Sequence, residues 1–359
     1  MPNSKDSDSA SASLLASIQT RFHCMTDGTI RDSNGQGWVV WNLVDFHRWW
    51  HAFETNAAVP LGRKLMHAAA DQEEYSLNRS ALLETGWLMR KKRLNSSLAI
   101  RWSEMGWGKY DFGSSTVLSN LLAPVCSGFA LAAVEGITGE RKKIQWHQVS
   151  NVMIQLEMEM DSRSISLAPS PPQFVWDSDS TLPSFFDGKA VQLDLHSVEH
   201  GWTNSGESTC FLPSGIFQRL FQYVKLQGLV LSPEVLAAWE LPEETSSSDW
   251  IPLIINSLAV NEMISQSELP IYIQDLESWN QLNDAYLVPN GLGTFSHLTA
   301  LDEQGGVEFE LCSTSVFPFT VAYLIAYWQR GIGRKAKVKL EQKNGKWILQ
   351  LTSLRSYSY

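Results

Sequence analysis

Histidines are the residues of this chain whose type and spacing come closest to a metal site. His47 and His51 lie four residues apart, which places them on one face if the segment is helical. Zinc-protease chemistry requires a glutamate directly after the first histidine, and Arg48 occupies that position. His67 is the candidate third ligand, on the next predicted helix. Because two histidines alone are a weak signal, we keep the three only as weak candidates and expect no metal cofactor.

The sequence contains no other arrangement of reactive groups that is typical of an enzyme. It has no G-x-S-x-G nucleophile elbow, no Walker loop and no G-x-G-x-x-G dinucleotide motif. Cys126 is a candidate nucleophile, but it lies in the most apolar segment, where burial raises the pKa of a thiol and makes it unreactive. We therefore expect binding rather than catalysis, with no motif for a metal or a nucleotide.

Aromatic residues form the other candidate site, and eight of the 15 tryptophans lie before residue 160. On the helix predicted after Val44, large rings recur at helical spacing. Such rings can line a cavity for a flat apolar ligand or anchor an interface, although for any single ring we favour a place in the core. Eight tryptophans are hard to bury in one unit, so we also expect an exposed aromatic patch. The candidate ligand-binding residues are Phe46, Trp49, Trp50, Trp87, Trp107 and Phe129.

The elements that carry these residues are predicted to be duplicated. Residues 124–144 align without a gap with residues 318–338, and four positions are identical: Pro124/Pro318, Ala132/Ala326, Gly139/Gly333 and Lys143/Lys337. Each copy continues into a hairpin, whose turn in the second copy is Asn344-Gly345. Upstream, a Gly-x-Gly at 106–108 matches one at 291–293, and GWVVW at 37–41 matches GLVLS at 228–232.

The aligned segment is predicted to be a buried helix that ends at a glycine cap. Gly128 and Ala132 place small side chains on one face, which allows another element to approach closely. Helices and adjacent antiparallel strands, without β-α-β alternation, predict an α+β fold.

This order of elements resembles the 4-vinyl reductase domain family, whose fold is similar to that of certain small subunits of transport-protein-particle tethering complexes. The resemblance is clearest over residues 106–160 and fainter over 291–354, and residues 60–71 look like the Gly/Arg/Ala helix of the family. It implies two tandem helix-plus-antiparallel-sheet domains, and because duplicated units in one chain can replace a homodimer contact, we expect them to pack as a pseudo-dimer. The family's cysteines before the long helix and in the closing hairpin are absent from these hairpins, so no metal or thiol role is carried over.

The resemblance also implies a function. We expect a non-catalytic binding or assembly factor that takes a protein partner, a hydrophobic small molecule, or both, with a tetrapyrrole or a lipid as the candidate ligand. Tetrapyrrole handling and photosynthetic-complex assembly are the settings that the family suggests. The alternative is an enzyme, or a subunit of one, that reduces a tetrapyrrole vinyl group with an external electron donor, because this chain shows no donor site.

Composition bounds the remaining possibilities. Lys and Arg number 28 against 38 Asp and Glu, a net charge of −10 that disfavours a nucleic-acid partner. No apolar run reaches the roughly 18 residues of a membrane span. The start lacks the features of a signal peptide and the four cysteines are scattered, so we expect a cytoplasmic location. The predicted divisions are a disordered 1–10, a first domain at 11–160, a linker and insert at 161–211, and a divergent second domain at 212–359.

Overall fold

The computed structural model describes residues 4–83, 90–163, 166–177, 187–243, 247–268 and 270–355. Within these ranges every strand pairing is antiparallel except a two-residue parallel pair at the edge of one sheet. Helices cover the rest of the regular structure. The predicted α+β class is therefore confirmed.

The first described element of the front half is a helix, and residues 1–3 of the segment predicted to be disordered lie outside the described residues. This helix starts at Ser4, whereas the serine- and aspartate-rich composition predicted disorder through residue 10. Ser11 Oγ of this helix accepts the backbone N–H of Ser197 at 2.9 Å, a contact that local composition does not reveal. The described elements are α1 (Ser4–Arg21), β1 (Phe22–Cys24), β2 (Ile30–Asp32), β3 (Gly37–Asn42), α2 (Leu43–Ala57), α3 (Gly62–Asn78), α4 (Arg90–Met105), β4 (Lys109–Asp111), β5 (Thr116–Leu118), α5 (Ala123–Thr138), β6 (Lys142–Gln148) and β7 (Met153–Met160).

The back half begins with strands inside the segment predicted to be a linker and insert. Residues 189–211 pair into a sheet with the N-terminal strands, so this part of 161–211 belongs to the core architecture. The described elements are β8 (Lys189–Ala190), β9 (Leu195–Val198), β10 (Gly201–Asn204), β11 (Glu207–Pro213), α6 (Gly215–Leu226), α7 (Pro233–Leu236), β12 (Trp239–Glu240), α8 (Ser247–Gln266), α9 (Leu276–Leu282), β13 (Phe295–Ala300), β14 (Val307–Leu311), α10 (Phe317–Ile332), β15 (Ala336–Lys343) and β16 (Lys346–Ser353).

Three sheets organise these strands. The largest has the order β8-β1-β2-β3-β11-β10-β9, with β3 and β11 paired at its centre. The other two have the orders β4-β5-β7-β6 and β12-β15-β16-β14-β13. Without the edge strand β12, and read from its other end, the third sheet has the order β13-β14-β16-β15, which matches β4-β5-β7-β6 of the second. In each sheet a long helix connects the second and third strands along the chain: α5 lies between β5 and β6, and α10 lies between β14 and β15.

The predicted match to β3 at residues 228–232 does not form a strand. Residues 228–232 form a turn and coil after α6, so the match between GWVVW and GLVLS was wrong. Both β3 and β11 are buried over consecutive residues, because both faces of the central pair are covered. Strands covered on both faces lack the alternation of apolar and polar residues that identifies a strand in sequence.

The long helices pack as their small residues predicted. Helix α5 lies against α3, and a Cβ on Gly128 would lie only 2.4 Å from the Met66 carbonyl oxygen. Gly139 and Gly333 end α5 and α10 with φ of 72° each, the left-handed conformation expected of a glycine cap. Helices also pack between the two halves of the chain, since α2 contacts α8 and α6 contacts α3.

Candidate functional site

The aromatic stripe of α2 lies in the core at the junction between the two halves. Phe46, Trp49 and Trp50 are all buried. The Trp49 ring is 5.5 Å from that of Phe217 and 5.7 Å from that of Phe319, centroid to centroid. Its indole Nε1–H donates to Asn256 Oδ1 at 2.9 Å. These rings contact one another and fill the interior.

The other two described aromatic candidates form a second buried cluster. The rings of Trp107 and Phe129 stack at 3.8 Å, and Trp107 Nε1–H donates to the Phe211 carbonyl oxygen at 2.7 Å. Trp87 lies outside the described residues. The expected exposed aromatic patch was wrong for the part of the front half that the structure describes, because its tryptophans are buried except the half-buried Trp146.

The histidine candidates are placed on the surface. His47, His51 and His67 are exposed, and His47 Nε2 is bonded to the Asn120 carbonyl oxygen at 3.0 Å. Desolvation lowers the pKa of His67. Across the described ranges, no group of three His, Cys, Asp or Glu side chains is arranged to hold a metal ion.

The cysteine candidate is buried, as predicted. Cys126 is fully buried in α5, and this burial raises the pKa of its thiol to about 12. A thiol with that pKa is almost entirely protonated at neutral pH, so it has little nucleophilic character.

A polar cleft of about 250 Å³ lies at one end of the central β3–β11 pair. Its walls come from both halves of the chain. The front half supplies residues 27–37 around the β2–β3 turn and the C-terminal part of α3; the back half supplies the start of α6 and residues 313–315 before α10. Residues 171–177 contribute a further wall. None of the five described aromatic candidates is among the lining residues.

Close backbone packing shapes this cleft. A Cβ on Gly215 would lie 2.1 Å from Gln72 Oε1, and a Cβ on Gly37 would lie 2.6 Å from Ser214 Oγ. The Ser214 backbone N–H donates to the Gly37 carbonyl oxygen at 2.9 Å, which continues the pairing of the central strands to the edge of the cleft. Side chains at the two glycine positions would therefore displace polar groups of the walls.

Four residues that line the cleft each have a buried side-chain atom without a hydrogen-bond partner among the described residues. The atoms are Arg31 Nη1, Gln36 Nε2, Asp177 Oδ1 and Thr314 Oγ1. Arg31 and Thr314 are themselves more than nine-tenths buried. Because buried polar atoms normally have partners, a cluster of unpartnered ones around one cleft is typical of a site that binds a polar ligand.

The other polar atoms of the same side chains are bonded and hold the walls in place. Arg31 Nη2 donates to Asp27 Oδ2 at 2.6 Å, and Arg31 Nε donates to Thr29 Oγ1 at 3.1 Å. Gln36 Oε1 accepts the Ser76 hydroxyl at 2.8 Å. These bonds hold one end of the Arg31 and Gln36 side chains, whose other nitrogens have no partner among the described residues.

Asp177 is the carboxyl group of the cleft whose protonation is most altered. One oxygen, Oδ2, accepts the Phe174 backbone N–H at 2.8 Å and the Gln218 side-chain amide at 3.2 Å. Desolvation nevertheless raises the pKa of Asp177 to about 6, because these neutral donors offset only part of the cost of burying the charge. A strongly perturbed carboxyl in a cleft is a feature of functional sites.

Sequence reasoning missed these cleft residues. They come from five separate segments, and no spacing within a segment resembles a known motif. The one local signal is the run DGTIRDSNGQGW at 27–38, where charged and amide side chains flank very short strands. Its Arg31 and Asp32 are buried, which polarity alone does not predict.

Comparisons of the chain with family models, curated proteins and solved structures find no match. Among the described helices, none combines the length and the apolar character needed to cross a membrane.

Proposed function

We propose that this protein is a non-catalytic binding or assembly factor made of two units that resemble the 4-vinyl reductase domain and pack as an intramolecular pseudo-dimer. The repeated strand order of the second and third sheets supports this duplication. In the proposal the second unit begins with β9, so that β9, β10 and β11 correspond to β1, β2 and β3. The two sets of three strands then meet at the centre of the largest sheet.

Reciprocal contacts between the halves support the same proposal. A Cβ on Gly106 would lie 2.6 Å from the Thr209 carbonyl oxygen, on β11. A Cβ on Gly291, the corresponding glycine of the second Gly-x-Gly, would lie 2.5 Å from the Trp38 carbonyl oxygen, on β3. Each Gly-x-Gly segment therefore packs against the central strand of the other unit, as in a duplicated chain that replaces a homodimer contact.

The observation that carries the binding role is the cluster of unpartnered buried atoms in the cleft. Because both units line the cleft, a molecule bound there would contact the whole pseudo-dimer. Most of the residues that line the cleft are polar, so this site favours a polar ligand over the hydrophobic or tetrapyrrole-like ligand that the family resemblance suggests. In this proposal the aromatic candidates do not bind the ligand, and the rings on α2 pack in the interior between the two units.

Gentle purification from a native source tests the proposal. We expect native mass spectrometry to show a bound small molecule or a stable protein partner that is released on denaturation. An absorbance band in the visible region would identify the ligand as a pigment and support the tetrapyrrole setting. A protein that is free of both ligand and partner, in repeated preparations at low and moderate salt, would contradict the binding role.

A further inference from the structure

We infer that the cleft binds a small dipolar molecule, with an anionic group such as a carboxylate at Arg31 and Gln36 and an ammonium group at Asp177. This inference rests on the proposed binding function and names its ligand class. Arg31 Nη1 and Gln36 Nε2 are both donors, and both belong to the segment around the β2–β3 turn. Asp177 Oδ1 is an acceptor on a different wall, and Thr314 Oγ1 can act in either role.

The charges of the cleft favour a ligand without net charge. Its lining contains two cations, Arg31 and Arg79, and two anions, Asp27 and Asp177. Asp27 is already bonded to Arg31, and the Arg79 guanidinium lies over the Tyr75 ring, 5.2 Å from its centroid. A ligand with only an anionic group would leave Asp177 without a charged partner, whereas a dipolar ligand adds no net charge to a lining whose charges already balance.

Asp177 is the group that gains most from an ammonium partner. Its bonded oxygen faces two neutral donors, and its other oxygen has none among the described residues. An ammonium group at Oδ1 would complete the hydrogen bonding and offset the desolvation of the carboxylate. At neutral pH the carboxyl is mostly ionised, since its raised pKa is about 6, and is therefore ready for such a partner.

The size of the cleft limits the ligand. Its volume of about 250 Å³ is below the ~300–1,000 Å³ that holds drug-sized molecules. A free amino acid, or a dipolar metabolite of comparable size, is the class that combines this size with the required charges.

Titration of the full-length protein with the standard L-amino acids tests this inference. Thermal shift would find the binding members, and isothermal titration calorimetry would give their Kd. For each one that binds, the matched acid without the amino group and the matched amine without the carboxylate are titrated in parallel. We expect saturable binding of at least one amino acid and binding of both analogues that is about tenfold weaker or more, because each lacks one charge-assisted hydrogen bond.

Variants assign that binding to the cleft. Asp177→Asn removes the charge and keeps the shape, and we expect it to weaken binding about tenfold or more. Thr314→Val removes the unpartnered hydroxyl and should weaken binding by a smaller factor. Asp194→Asn is the control. It changes an exposed aspartate that directly precedes β9 and does not line the cleft, so it should leave the Kd unchanged.

Three results would overturn the inference: no saturable binding across the set, analogues that bind as tightly as the amino acid, or an unchanged Kd in Asp177→Asn. Native mass spectrometry of the purified protein separates this failure from failure of the proposed function. A bound molecule of another class, or a bound partner, would preserve the binding role and reject the dipolar ligand. A free protein together with a negative titration would reject both.

Discussion

Replacement of Asp177 by Asn should make the protein more stable at neutral pH and should change how stability depends on pH. Desolvation raises the pKa of this carboxyl to about 6 in the folded protein, against roughly 4 in an unfolded chain. The folded state therefore binds the proton more tightly, and wild-type stability falls as the pH rises from about 4 to about 6. Above about pH 6 the carboxylate is ionised in both states, and its desolvation lowers the free energy of unfolding by a constant amount.

The size of this effect follows from the difference in pKa. A difference of roughly two pH units corresponds to about 3 kcal/mol at the high-pH limit, and to about 2 kcal/mol between pH ~4.5 and pH ~7.5. Because Asp177 is partly exposed, solvent screening reduces the expected change to about 1–2 kcal/mol over that range. The other charges that line the cleft are those of Asp27, Arg31 and Arg79, and they are unchanged in the variant.

Urea denaturation followed by tryptophan fluorescence measures the effect. The free energies of unfolding of wild type, Asp177→Asn and the surface control Asp194→Asn are compared at several pH values in ligand-free buffer. We expect the advantage of Asp177→Asn over wild type to grow with pH and to level off above pH ~6.5, and the control to follow wild type. An advantage that does not change with pH would show that burial does not perturb this carboxyl.

Three further predictions concern the core. Glu73→Gln should lower the free energy of unfolding by about 3–5 kcal/mol, because the buried guanidinium of Arg101 would lose its charged partner. In the wild type, Arg101 Nε and Nη2 donate to the two Glu73 carboxylate oxygens at 2.6 and 2.7 Å. A loss below about 1 kcal/mol in urea denaturation would contradict this prediction. Gly128→Ala should cost about 1–3 kcal/mol, because the added Cβ meets the Met66 carbonyl oxygen at 2.4 Å; an unchanged thermal midpoint would show that α5 and α3 can separate freely. Cys126 should resist alkylation by iodoacetamide in the folded protein and react once urea unfolds it; peptide mass mapping that finds it modified at early times would refute its burial.

Sequence patterns predicted the structure correctly where a few consecutive residues must adopt a particular backbone conformation. Glycines at the ends of α5 and α10 marked both caps, and Asn344-Gly345 marked the last hairpin, where both residues have positive φ. Small residues on α5 indicated close packing, and α3 is the element that packs there. Each of these predictions depends on a steric requirement of a few consecutive residues, so the sequence alone expresses it.

The central sheet and the cleft could not be predicted in the same way. Strands β1 and β2 are three residues long, and β11 is buried over its last five residues, so no periodic pattern distinguishes them from loop or insert. The unpartnered atoms of the cleft are defined by what surrounds them in three dimensions. Arg31 and Thr314 lie 283 positions apart in the sequence, yet both line one cleft.

The two ends of the central strand pair differ in a way that bears on the proposed duplication. At one end, Asn42 precedes α2, and its side-chain amide donates to Glu207 at the start of β11. At the other end, Ser214 precedes α6 and faces Gly37 at the start of β3, a residue without a side chain. A side-chain hydrogen bond therefore joins the strands at one end, and the backbone bond from Ser214 to Gly37 borders the cleft at the other.

The duplication proposed above would permit such an asymmetry, whereas a symmetric homodimer would not. In a homodimer both ends would carry the same residues, so a site at one end would be repeated at the other. In a single chain, two units of the kind proposed can differ in sequence, so the two ends need not carry the same site. Gly37 leaves room for Ser214 at the edge of the cleft, since a Cβ at this position would lie 2.6 Å from Ser214 Oγ.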